Sequence, residues 1–149
     1  MHGRFSPTTI IFLGQFAVEA FALSMVGTRI CAGFPSPADD FLDEEVDLVR
    51  ILTPNRAASF LWRVSGHSMT EAGVHDGDVV VVDRSVSPKH GDVVVATIDG
   101  ETSLKLYRDH GRPGLAFANR TMPVLEIGEA ADVEIWGVVS WSLHRPRLP

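Results

Sequence analysis

Apolar residues change their spacing abruptly along this chain. From Ile10 to Val26 they run almost unbroken and follow neither a helical nor a strand period, while Gly14 and Gly27 weaken any single long helix. A stretch this apolar must pack on something, either its own body or a partner. Residues 1–32 are therefore expected to form a mobile N-terminal arm. Gly33-Phe34-Pro35-Ser36-Pro37 then breaks the pattern, because prolines flanking a serine hold the backbone extended. Residues 33–56 read as a hinge and linker, with a short helix or turn at about Asp43 to Ile51 that Pro54 ends.

From residue 57 to 149 the pattern becomes that of a β domain. Phe60, Trp62 and Val64 alternate with Leu61 and Arg63, the period of a half-buried strand, and Gly66 stops it. The run Gly-Asp-Val-Val-Val occurs at Gly77 and again at Gly91, each time a turn followed by β-branched residues. Asp99-Gly100 separates Val93–Ile98 from Thr102–Tyr107, the signal of a tight hairpin. In its second arm Ser103, Lys105 and Tyr107 share one face, and Leu104 and Leu106 the other. Short strands are also expected at Leu115–Ala118 and Val133–Trp141. The fold class is mainly β, built from short strands.

Composition narrows this picture. At 149 residues the chain is about one domain, large enough to bury a core without disulfide staples. Cys31 is the single cysteine, which excludes an intramolecular disulfide and fits a reducing compartment. A net charge of -6 with no basic run speaks against direct nucleic-acid binding. The apolar arm resembles an export signal or a membrane span, but Gln15 and Glu19 interrupt it and Arg29 precedes any small-residue cleavage site. A cytoplasmic protein is expected.

Six histidines offer no assignable catalytic pairing, and no His/Cys spacing suggests a metal or a cofactor. A Ser-His-Asp triad has nothing to support it. Ser68, just past Gly66 at the end of a strand, could be a nucleophile if a base took its proton. Only two lysines exist. Lys89 lies in a turn, whereas Lys105 lies between two leucines, where burial would favour the neutral amine. On the residues alone Lys105 reads more readily as a solvated charge on the hairpin, since lysine is rarely buried.

A resemblance changes that balance. Ala32-Gly33-Phe34-Pro35-Ser36-Pro37, Ser65-Gly66-His67-Ser68-Met69, Asp76-Gly77-Asp78, Gly91-Asp92-Val93-Val94, Leu104-Lys105 and Trp136-Gly137-Val138-Val139 follow one another as in the LexA/UmuD family of self-cleaving serine peptidases. The Gly-Phe-Pro-Ser-Pro block resembles the UmuD branch, and the arm is too short for the DNA-binding domain of a LexA-type or phage-type repressor. The resemblance implies a LexA/signal-peptidase-like β domain with Ser68 as nucleophile and Lys105 as general base. It implies a scissile bond at Ala32-Gly33 and an oxyanion hole formed by the backbone N–H groups of His67 and Ser68. Cys31 stands one residue before the cysteine of Cys-Gly members, and His67 stands where acidic or apolar residues are familiar. The family context implies autoproteolysis promoted by a RecA–single-stranded-DNA filament. The processed homodimer would serve as accessory subunit to an UmuC-like, Y-family error-prone polymerase in the SOS response. Two alternatives are a non-catalytic dimeric module of the same fold and a signal-peptidase-like Ser-Lys protease. The second would need a membrane anchor and usually a proline soon after Ser68-Met69.

Overall fold

A computed structural model describes residues 9–15, 22–26, 42–122, 125 and 131–147. The chain divides into two units, residues 1–16 with 55–149, and residues 17–54. The expected scissile pair Ala32-Gly33, Cys31 and the expected proline hinge lie outside the described residues.

In the smaller unit, strands β2 (Ala22–Val26) and β3 (Leu42–Asp47) pair antiparallel. A five-residue helix, α1 (Leu48–Leu52), follows. Asp47 caps it by accepting from the Arg50 N–H at 3.3 Å, and Thr53 closes it by donating its hydroxyl to the Val49 carbonyl at 2.5 Å. The helix expected at Asp43–Ile51 is thus confined to its second half. The acidic first half extends as a strand because β2 offers it a pairing edge, a tertiary effect that overrides local preference.

The larger unit is a seven-stranded antiparallel sheet: β1 (Thr9–Gln15), β4 (Ser59–Ser65), β5 (Val79–Asp83), β6 (Val93–Ile98), β7 (Glu101–Asp109), β8 (Pro113–Ala116) and β9 (Val133–Leu143). Spatial order is β1-β4-β5-β9-β6-β7-β8. The expected strands are present, except that the one expected at Leu115–Ala118 starts two residues earlier and stops at Ala116, where the chain leaves β7. The Asp99-Gly100 hairpin joins Ile98 to Glu101, with φ of 50° at Asp99 and 84° at Gly100, as a two-residue turn between twisted strands demands.

In the larger unit one strand was not expected. β1, from the apolar arm, pairs antiparallel with β4 from Thr9↔Ser65 to Gln15↔Phe60, with a register shift near Gly14. Thr9 also pairs with Ser103 of β7, so six strands close into a ring. β1 and β8 share the second edge of β7: β1 meets it at Ser103, and β8 begins at Leu106. Leu104 and Lys105 lie in the notch between them.

The core is mostly aliphatic: Ile10, Val64, Met69, Val74, Val80, Val82, Val95 and Leu104 pack together. β1 is part of this packing. Ile10 is buried, and the Phe12 ring lies 5.2 Å from Trp62, which lies 5.1 Å from Trp136. The Arg84 guanidinium covers Trp136 at 4.5 Å. Gly137 is required by close approach. A Cβ there would stand 2.6 Å from Val82 Cγ1 and 3.2 Å from the Asp83 carbonyl oxygen. Gly137→Ala should therefore destabilise the domain by about 1–3 kcal/mol. Urea unfolding should show it as a lowered midpoint at unchanged slope.

Candidate active site

Ser68 follows β4 after a sharp turn. Gly66 adopts φ of 109°, a conformation that a residue with a side chain resists. Its N–H donates to Asp76 Oδ1 at 2.8 Å. The Gly77 N–H reaches the Val64 carbonyl at 2.8 Å, and the Val64 N–H reaches the Asp78 carbonyl at 2.8 Å. The Asp76-Gly77-Asp78 turn thus clamps the chain just before Ser68. Asp78 is itself buried and well partnered. Its carboxylate accepts from the His75 N–H at 2.8 Å and from the Ser142 hydroxyl at 2.9 Å, and pairs with His144 Nδ1 at 2.6 Å. Burial alone would raise this carboxyl's pKa. The His75 backbone, the His144 and Ser142 side chains and the His144 charge outweigh it, so Asp78 sits below the usual carboxylate range.

Lys105 is no solvated hairpin lysine. It is 3% exposed, and Ser68 is fully buried. Its Nζ donates to the Ser103 hydroxyl and, at 3.1 Å, to the Leu104 carbonyl. Burial lowers its pKa from 10.5 to about 8, opposed only by the charge of Glu101. At neutral pH about one molecule in ten then carries a free amine at this position, against fewer than one in a thousand for an ordinary lysine.

Residues 117–119, which leave the end of β8, touch both. The Phe117 ring stands 5.2 Å from Lys105 Nζ. The Ala118 N–H donates to the Ser68 carbonyl at 2.9 Å, and the Ala118 carbonyl accepts from the Glu71 N–H at 2.8 Å. Asn119 Nδ2 donates to the His67 carbonyl at 2.7 Å. Three consecutive residues therefore strap the notch in β7 to the turn that carries Ser68. None of the three was singled out from the sequence. An Asn that acts on a carbonyl 52 positions away leaves no spacing to read. Thr9, register partner of both Ser65 and Ser103, bridges the same region from the other side.

The site holds a buried serine and a buried lysine of lowered pKa, linked through residues 117–119, the residue types that nucleophilic acyl transfer without histidine requires. Residues 24–140 match the family model described as Peptidase S24-like. The chain belongs to the S24 peptidase family.

Among its relatives, the chain is 40% identical to protein ImpA of Salmonella typhimurium over 129 residues, covering 87% of this chain and 88% of that one. It is 41% identical to protein MucA of Escherichia coli over 134 residues, covering 89% and 92%. A LexA repressor of Acidothermus cellulolyticus is 39% identical over 93 residues, 62% of this chain and 33% of the repressor. As an S24 member the chain is a serine peptidase with the mainly β fold of that family. Among the described residues no group of His, Cys, Asp and Glu could hold a metal ion. No helix among them is long and apolar enough to cross a membrane.

Proposed function

We propose that this peptidase cuts its own chain between Ala32 and Gly33, with Ser68 as nucleophile and Lys105 as general base. The observation that carries this is the burial of Lys105, which supplies a neutral amine near physiological pH. Neutral Lys105 takes the Ser68 proton, and Ser68 Oγ attacks the Ala32 carbonyl carbon. The backbone N–H groups of Ser68 and His67 receive the oxyanion. Collapse breaks the Ala32–Gly33 bond, and the protonated Lys105 returns a proton to the leaving Gly33 amine. Water then hydrolyses the Ser68 ester and releases the Ala32 carboxylate.

The same reading extends to context. The similarity to ImpA and MucA along nearly their whole length supports a UmuD-like role in SOS mutagenesis. A RecA–single-stranded-DNA filament would promote cleavage, and the processed homodimer would attach to a Y-family polymerase subunit in the cytoplasm.

Purified protein incubated at rising pH tests the cleavage. Mass spectrometry should find a new amino terminus at Gly33, absent from Ser68→Ala. Since deprotonation activates the base, the rate should rise about tenfold from pH 7 to pH 9 and then level off. An intact chain at pH 9, both alone and with activated RecA filament, would sink the proposal.

A further inference from the structure

The oxyanion donor assigned to Ser68 is useful only if its N–H points into the cleft. A peptide unit is planar and trans, so its N–H and its carbonyl point in opposite directions. Whatever holds the His67 carbonyl therefore aims the Ser68 N–H. Two groups hold it: Asn119 Nδ2 at 2.7 Å and, more loosely, the Thr70 hydroxyl at 3.3 Å. The Asn119 amide has one consistent orientation. Its Oδ1 accepts from the Thr121 N–H at 3.0 Å and the Thr121 hydroxyl at 2.7 Å, which leaves Nδ2 as the group facing His67. The Asn119 carbonyl also accepts from the Met122 N–H at 3.1 Å, so the residue sits on a closed turn. The neighbouring Ala118 N–H grips the Ser68 carbonyl at 2.9 Å, fixing the next peptide unit as well.

We propose that Asn119 is a positioning residue for catalysis: by gripping the His67 carbonyl from the strap after β8, it presets the Ser68 N–H to receive the oxyanion. This rests on Ser68 being the nucleophile of self-cleavage. Asn119 touches no reacting atom. Its effect passes through one peptide plane, and it acts in the transition state, where charge on the substrate oxygen is greatest. The side chain that steadies the oxyanion hole thus belongs to the segment that also lays Phe117 against Lys105.

Self-cleavage rates of the full chain, measured from pH 6 to pH 10 for wild type, Asn119→Ala and Thr121→Val, test it. Losing an oxyanion donor outright costs a factor of roughly 100 to 1000, so a mis-aimed donor in Asn119→Ala should slow cleavage about 10- to 100-fold. The loss should be uniform across pH, with the inflection staying near 8, since Lys105 remains buried. Thr121→Val, which removes only the hydroxyl steadying Asn119, should lose severalfold with the same inflection, and it decides the matter if Asn119→Ala does not fold. An intact wild type would fail the self-cleavage reading itself. A cleaving wild type matched in rate by both folded variants would overturn the Asn119 role alone. So would a loss that came with an inflection moved toward 10.5, which would mean that the strap merely keeps water from Lys105.

Discussion

Lys105→Met is expected to abolish self-cleavage and to make the protein more stable. Methionine is close to lysine in volume, fits beside Phe117, and has no charge to desolvate. The native state holds Lys105 at a pKa of about 8 against 10.5 when exposed, a difference worth at most about 3 kcal/mol. The sign fixes where this is seen. Below pH 8 both states are protonated, and the folded protein bears the full cost of burying an ammonium. Between 8 and 10.5 the unfolded chain binds more protons, so wild-type stability rises with pH. Above 10.5 both are neutral and the cost is gone. Thermal unfolding of Lys105→Met, compared with Ser68→Ala to avoid cleavage, should show a melting point up to about 10 °C higher at pH 7. That gap should close as pH passes 10. A variant that still cleaves, or one that melts lower at pH 7, would remove Lys105 from its role.

Asp78→Ala should produce the largest loss of stability, about 3–5 kcal/mol. It would strip acceptors from the His75 N–H, the Ser142 hydroxyl and His144 at once, next to the turn that clamps Val64. Asp78→Asn keeps the shape and should lose less. Because the native carboxyl titrates below its ordinary 3.8, its contribution is complete above that value and fades as pH falls through the lower native one. The difference between wild type and Asp78→Asn in urea midpoint should therefore be present at pH 5 and shrink below about pH 4. A difference that is flat across that acid range would show that the carboxylate charge is not what holds this turn.

Much of the β body was legible because each strand buries one face. Phe60-Leu61-Trp62-Arg63-Val64 announces itself by alternation, and Asp99-Gly100 by the dihedral angles only such a pair adopts readily. β1 was hidden for the converse reason. Ile10 is buried, but Ile11, Phe12 and Leu13 are each about half exposed, so the strand is apolar on both faces and shows no period. Gly14 adds a register shift that breaks what alternation remains. Of the candidate site, Ser68 and Lys105 were singled out through the resemblance, not through their neighbours. Leu104 and Leu106 report on the face opposite Lys105, and the covering Phe117 arrives from the segment that follows β8. Asn119 was invisible for a similar reason: its partner is a carbonyl, and any residue type carries one.

The ring closed by β1 bears on what a cut after Ala32 would leave behind. β1 would lie on the released side of the break, while its pairing edge on β4 and its neighbours Val64, Trp62 and Trp136 would stay with the larger product. Before the break the strand is held at the high effective concentration of a tethered segment. Afterwards its occupancy becomes a matter of dilution, set by how tightly a free peptide binds and how much of it is present. Hydrolysis would act as a ratchet, turning a permanent stave of the barrel into a ligand that can be lost, with no equivalent route back.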